Sequence, residues 1–322
     1  MHILIEPGLT LPALGEAALA EVQAAGGDDT VILQTNSRAE TLAVAPSIEV
    51  ILGGIDRELF ALMPKLRWLH ATASGVDEFL FDEFRRSDVV LTGEKGLVGS
   101  HLADHAMGLL LAITRRIAAA IRDGSGSWDR RFEYRLEELE LEGLTLGLVG
   151  YGGTGRALAR RAAGFGMYLR AVDVVSIETG PDEPVVEPLG ALPSLLSDAD
   201  VVAVCLPLTP QTKNLFDDQI FAQMKPGAIL INVTRGEIVE RKALLRALDS
   251  GHLGGAGLDV VWTEPLPADD PLWNYSTVVM TPHTAGASQH RAARNLARFI
   301  ENLTHFVRGE ALAGTVNKNT GF

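Results

Sequence analysis

Short apolar runs separated by helical patterns set the rhythm of the first hundred residues: Ile3-Leu4-Ile5, Val31-Ile32-Leu33, Val50-Ile51-Leu52, Trp68-Leu69-His70-Ala71 and Val89-Val90-Leu91. Their regular return predicts βαβ units of a small parallel sheet. Beyond Ser100, a candidate N-cap, the apolar positions Leu102, Ala106, Leu109, Ile113 and Ile117 recur at helical spacing. Arg115, Arg116 and Arg122 follow toward the C-terminal end, where the helix dipole favours cations. The pattern predicts one long helix through Ile121 that carries the chain from one domain to the next. Residues 123–142 are polar and charge-dense and read as a loop or arm. From Leu144 the alternation resumes, with strands expected over 144–149, 168–174, 201–206, 228–233, 257–261 and 278–281. After Thr284 the pattern turns helical, with Leu296, Phe299, Ile300 and Leu303 on one face. The class is α/β, without internal repeats.

Length and charge narrow this picture. A chain of 322 residues exceeds most single cores and predicts two domains. The net charge of −13 argues against a nucleic-acid partner, which needs a basic face. The single cysteine, Cys205, lies in the apolar run Val201–Leu206 and reads as a buried, inert thiol suited to a reducing cytosol. The N-terminal segment Met1-His2-Ile3-Leu4-Ile5-Glu6-Pro7 reads as a first strand rather than a leader. The apolar stretch near Leu102–Ile113 is interrupted by Asp104 and His105, so no membrane span is expected; no metal site is expected in this chain.

The densest chemical signal runs from Leu144 to Asp173. An apolar strand feeds directly into Gly150-Tyr151-Gly152-Gly153-Thr154-Gly155 and a helix of small residues. In a dinucleotide fingerprint the first glycine permits the tight turn, the second admits a pyrophosphate, and the third lets the helix pack closely. The N–H groups of the helix N-terminus then face the phosphates. Asp173 ends the next strand 18 residues beyond the third glycine, where its carboxylate can accept from a ribose 2′-hydroxyl and repel a 2′-phosphate. The pattern therefore predicts nucleotide binding, with NAD favoured over NADP.

Three later strand ends each offer one functional side chain, and in open α/β sheets ligands gather at such ends. Arg235 follows Ile229-Leu230-Ile231-Asn232-Val233-Thr234, with the conformationally permissive Gly236 beside it. Its planar fork of donors suits a carboxylate. Glu264 lies in a proline-rich loop after Leu258-Asp259-Val260-Val261, and His283 lies in Thr281-Pro282-His283-Thr284-Ala285-Gly286. Alone, each would read as a surface or structural residue; their order on consecutive elements raises all three.

With these motifs the chain resembles the D-isomer-specific 2-hydroxyacid dehydrogenases, of the glyoxylate/hydroxypyruvate reductase kind. The resemblance rests on the glycine fingerprint, Leu206-Pro207-Leu208-Thr209-Pro210-Gln211-Thr212, Ile231–Glu237, Gly257-Leu258-Asp259-Val260 with Glu264-Pro265-Leu266, and Pro282–Gly286. It implies a flavodoxin-like substrate domain of residues 1–98 plus 288–322, with a Rossmann-type NAD-binding domain of residues 99–287 inserted, and a homodimer. The Leu102–Ile121 helix and the arm before Leu144 are the expected interface.

Carried over, the family chemistry places a 2-keto acid's carboxylate on the backbone N–H groups of Gly75 and Val76, beside Ser74, and on Arg235. Arg235 also polarises the keto oxygen, His283 donates the proton, and Glu264 holds the imidazole, favouring its charged form. Leu206, Pro207, Thr212, Val233, Thr234, Asp259, His283, Ala285 and Gly286 join Gly150–Gly155 and Asp173 as implied cofactor contacts. Departures are small: Thr154 replaces an aliphatic residue, Thr234 a serine, and Asp104 a glutamate. A glutamate partner for His283 argues against the formate dehydrogenase branch, and the chain ends soon after its return helix, without the regulatory domain of many phosphoglycerate dehydrogenases. Ala71 and Thr72 lack an arginine for a phosphate, which points to glyoxylate or hydroxypyruvate. Trp68, His70, Ser74 and Lys95 are candidates for shaping the pocket. Two other readings share the scaffold: an NAD(H)-sensing, corepressor-like binding protein and a phosphite-type dehydrogenase.

Overall fold

The chain forms twelve strands, most of them apolar, and all of their pairings are parallel in the computed structural model, which describes residues 1–322. The chain divides into two compact units, Met1–Val98 with Ala287–Phe322, and Gly99–Gly286. In the first unit β1 (His2–Ile5), β2 (Val31–Gln34), β3 (Val50–Gly53), β4 (Trp68–Ala71) and β5 (Val90–Thr92) form a sheet of order β2-β1-β3-β4-β5. This is the flavodoxin-like doubly wound order. Central strands such as β3 and β4 are buried along their whole length, as a sheet covered on both faces requires.

The helix Arg291–Arg308 covers this first sheet with Phe299 and Leu303, both fully buried. Trp68, a pocket candidate in the sequence, instead stacks on Phe299 at 5.1 Å and donates Nε1 to Thr92 Oγ1 at 2.8 Å. His70 is fully buried as well, with Nδ1 2.7 Å from the same hydroxyl. Both belong to the core: strand position alone does not tell which buried face a residue takes.

Burial, with Arg298 nearby, pushes the His70 imidazole down to about 3. An unfolded chain takes up a proton there at the ordinary histidine value of ~6.5, while the folded unit stays neutral. Stability is therefore full above that value and is lost as pH falls toward about 3. Each unit of separation corresponds to about 1.4 kcal/mol. Denaturant titrations at neutral and mildly acidic pH should show this slope, and His70→Asn should flatten it; an unchanged slope would refute the assignment.

In the second unit β6 (Thr145–Val149), β7 (Tyr168–Asp173), β8 (Val186–Pro188), β9 (Val201–Val204), β10 (Ala228–Asn232), β11 (Leu253–Leu258) and β12 (Val278–Met280) pair in the order β12-β11-β10-β9-β6-β7-β8. The order reverses between β6 and β9, which is where a Rossmann-type sheet opens its ligand crevice. The expected single long helix is two helices, Gly99–Thr114 and Ile117–Asp123, separated at Arg116, whose φ of 54° is left-handed. Arg116 Nη2 reaches Glu137 at 2.6 Å there. The charged arm is not all loop, since Arg131–Glu137 is helical, with Tyr134 buried and its hydroxyl on Asp123. Ser100 does not cap: the helix starts one residue earlier, and Ser100 Oγ accepts from Arg161 Nη2 at 2.8 Å. No helix is long and apolar enough to cross a membrane.

Candidate active site

The fingerprint turn is built by what its glycines lack. Gly150 has φ +99°, and a side chain on it would lie 2.7 Å from the Cys205 carbonyl at the end of β9. At Gly155 a Cβ would meet the Gly150 carbonyl at 2.4 Å, so the helix Gly153–Gly164 can pack closely on the turn that precedes it. Gly152 differs: a Cβ there has no neighbour within 4 Å. Space at the second glycine, beside the first N–H groups of a helix, fits the pyrophosphate of a dinucleotide. The same turn is braced by the other end of the unit, because Gly99 sits where a Cβ would approach the Gly153 carbonyl to 2.3 Å. Arg161 of the fingerprint helix donates to Asp104 at 2.5 Å.

Asp173 ends β7 with its carboxylate fixed by backbone donors, Tyr151 N at 2.7 Å and Val175 N at 3.1 Å. Tyr151 is itself buried under Arg156, whose guanidinium lies 5.3 Å from its ring and pairs with Glu183 at 2.6 Å. Burial pushes the Cys205 thiol up to about 12, so it is inert at neutral pH. After β9, Thr212 turns its hydroxyl onto the Pro207 carbonyl at 2.7 Å and closes the Leu206–Thr212 loop on itself.

Arg235 follows β10 in extended backbone. Its position is set by Asn232, a buried residue not singled out in the sequence reading: Nδ2 donates to the Arg235 carbonyl at 2.8 Å, and Oδ1 accepts from Thr234 N at 3.1 Å. A polar residue ending an otherwise apolar strand was the available signal. Gly236 serves by close approach rather than by permissive backbone, because a Cβ there would lie 2.0 Å from the Val261 carbonyl carbon. Arg235 is thereby seated against the segment that leads to Glu264.

Glu264 and His283, from the loops after β11 and β12, meet directly: His283 Nδ1 lies 2.6 Å from Glu264 Oε2. The other carboxylate oxygen accepts from Val261 N at 3.1 Å. Both side chains are exposed on the unit. His283 has a φ of 54°, unusual for a residue with a side chain, and its N–H is held by the Asp259 carbonyl at 2.8 Å. Asp259, expected among the cofactor contacts, is 2% exposed and directs its carboxylate into the protein, where it accepts from Thr281 Oγ1, Thr284 N and Ala285 N. In the other unit Ser74, Gly75 and Val76 follow β4, and Ala73 O accepts from Glu94 N at 3.3 Å.

A glycine turn at the switch point of a parallel sheet, with an imidazole–carboxylate pair on neighbouring strand ends, defines a nicotinamide-dependent oxidoreductase. Residues 107–285 match the D-isomer specific 2-hydroxyacid dehydrogenase NAD binding domain, and the chain belongs to that family. It is an enzyme acting on 2-hydroxy acids. It is 37% identical over 273 residues to a glyoxylate reductase of Korarchaeum cryptofilum, covering 84% of this chain and 82% of that protein. It is 34% identical to an (S)-sulfolactate dehydrogenase of Chromohalobacter salexigens, with 87% and 92% covered. A solved protein of Thermus thermophilus superposes with a TM-score of 0.77 at 33% identity, covering 98% of this chain and all of that one. An NADPH-dependent glyoxylate/hydroxypyruvate reductase of Sinorhizobium meliloti, solved with NADP and sulfate, shares the fold at a TM-score of 0.82 and 24% identity, with complete coverage of both chains.

Proposed function

We propose that this chain is an NADH-linked reductase of small, unphosphorylated 2-keto acids such as glyoxylate or hydroxypyruvate, with His283 as its proton donor. The observation that carries the reading is the 2.6 Å contact between His283 Nδ1 and Glu264 Oε2. With Nδ1 held on the carboxylate, Nε2 is the ring atom left to give a proton to the keto oxygen, and to take it back in the oxidative direction. Glu264 orients the ring and stabilises its charged form. The bound nicotinamide supplies hydride at C2. Arg235 binds the substrate carboxylate and polarises the keto oxygen, and the family resemblance adds Ser74 and the N–H groups of Gly75 and Val76.

Asp173 supports NADH over NADPH, since its fixed carboxylate suits a 2′-hydroxyl and repels a 2′-phosphate. The absence of arginine at Ala71 and Thr72 supports an unphosphorylated substrate. Exposed Ile121, Trp128, Phe132 and Leu136 support a homodimer of twice the chain mass, which light scattering reads directly.

The test is NADH consumption with glyoxylate, hydroxypyruvate, pyruvate and a bulky 2-keto acid, each repeated with NADPH. The expected result is turnover of the small acids with NADH, and Asp173→Ala should narrow the preference for NADH by roughly tenfold or more. Wild-type preference for NADPH would refute the cofactor assignment. NADH binding without turnover of any acid would overturn the reductase in favour of a binding-only role.

A further inference from the structure

Thr281 Oγ1 stands between two groups, 2.6 Å from Asp259 Oδ1 and 2.7 Å from His105 Nε2. A hydroxyl carries one proton, and an ionised carboxylate only accepts. The Thr281 hydroxyl therefore donates to Asp259 Oδ1, and the bond to His105 must be donated by the imidazole, which fixes a proton on Nε2. His105 belongs to the helix Gly99–Thr114 and adds a second approach to the same carboxylate, 3.4 Å from Asp259 Oδ1. The Asp259 carboxylate in turn accepts from the N–H groups of Thr284 and Ala285, and its carbonyl accepts from that of His283. An unbroken chain of hydrogen bonds thus runs from His105 through Thr281 and Asp259 to the backbone of His283, Thr284 and Ala285.

The last link in this chain is under strain. His283 holds a left-handed φ of 54° with no glycine to ease it. A conformation of this kind persists only where its surroundings over-determine it, and such residues cluster at functional sites. Acceptors outside the loop, the carboxylate and carbonyl of Asp259, are what over-determine this one.

We propose that His105 is a positioning residue for His283: its Nε2–H anchors Thr281 so that Asp259 keeps the 281–285 loop in the geometry that aims the imidazole. The inference rests on His283 being the proton donor.

Three variants test it. His105→Leu removes the donor, His105→Gln places an amide N–H near the same point, and Thr281→Val removes the relay. His105→Leu is expected to lower kcat roughly ten- to hundredfold, as small misplacements of a reacting group do, with the melting temperature and the NADH dissociation constant little changed. His105→Gln should recover most of the rate. Thr281→Val should reproduce the loss, and combining it with His105→Leu should cost no more than either alone. Wild-type kcat in His105→Leu would overturn the proposal, as would a loss that glutamine does not rescue, or one matched by an equal loss of NADH affinity. His283→Ala in the same series separates the two readings. If that variant is inactive while His105→Leu is unaffected, only the role of His105 fails; if it retains turnover, the proton-donor reading fails and takes the inference with it.

Discussion

Replacing His283 with alanine should lower kcat for 2-keto acid reduction about a hundred- to ten-thousandfold while leaving NADH binding nearly intact. The split follows from where the residue stands. His283 lies after β12 at one edge of the second sheet, whereas the fingerprint turn follows β6, separated from it in the sheet by β9, β10 and β11. Loss of the imidazole removes the proposed proton donor and leaves Gly150, Gly152, Gly155 and Asp173 untouched. Stopped-flow turnover beside fluorescence titration with NADH measures both quantities. Arg235→Ala should give a comparable loss in kcat/KM, and Arg235→Lys should not restore it, because a compact ammonium cannot make the paired contact of a guanidinium. Full activity in His283→Ala would end the case for this mechanism.

The second large effect comes from a residue with no side chain. Gly236→Ala would force a Cβ to within 2.0 Å of the Val261 carbonyl carbon and 2.1 Å of its oxygen, both backbone atoms that cannot turn aside. Either Arg235 or the Val261–Glu264 segment must move, and Val261 N is one of the donors that fix Glu264. A displacement near an ångström at reacting groups is enough for about a hundredfold loss in kcat/KM, and overpacking of this kind costs about 1–3 kcal/mol of stability. Kinetics and a thermal melt on the same variant check both effects. Near-wild-type kcat/KM would show that the two loops need no such contact.

Much of this molecule was legible because parallel strands covered on both faces are nearly continuous apolar runs. β8 escaped because Val186-Glu187-Pro188 is short and ends in proline at a sheet edge. The break at Arg116 carries no glycine or proline, so a helical pattern that continues to Ile117 hides it. The fingerprint was readable from spacing alone, because glycine is the chemical statement of a backbone contact. The Glu264–His283 pair was not: 19 residues separate the two in sequence, and their meeting depends on β11 and β12 being neighbours. Gly236 was expected for its conformational freedom and instead allows two backbones to touch. Asn232 and Asp259 went unread in their actual roles because a buried polar side chain's partners lie far off in sequence.

The placement of β12 has one further consequence. This three-residue strand pairs on one side only, with β11, so the sheet gives the following loop little support. Much of the order of that loop comes instead from Asp259, whose buried carboxylate and carbonyl both accept from it. Opening of this loop is therefore expected to be separable from global unfolding. In hydrogen–deuterium exchange, the amides of Thr284 and Ala285 are expected to report that opening, and under the proposed mechanism their protection gauges how much of the population holds His283 in place.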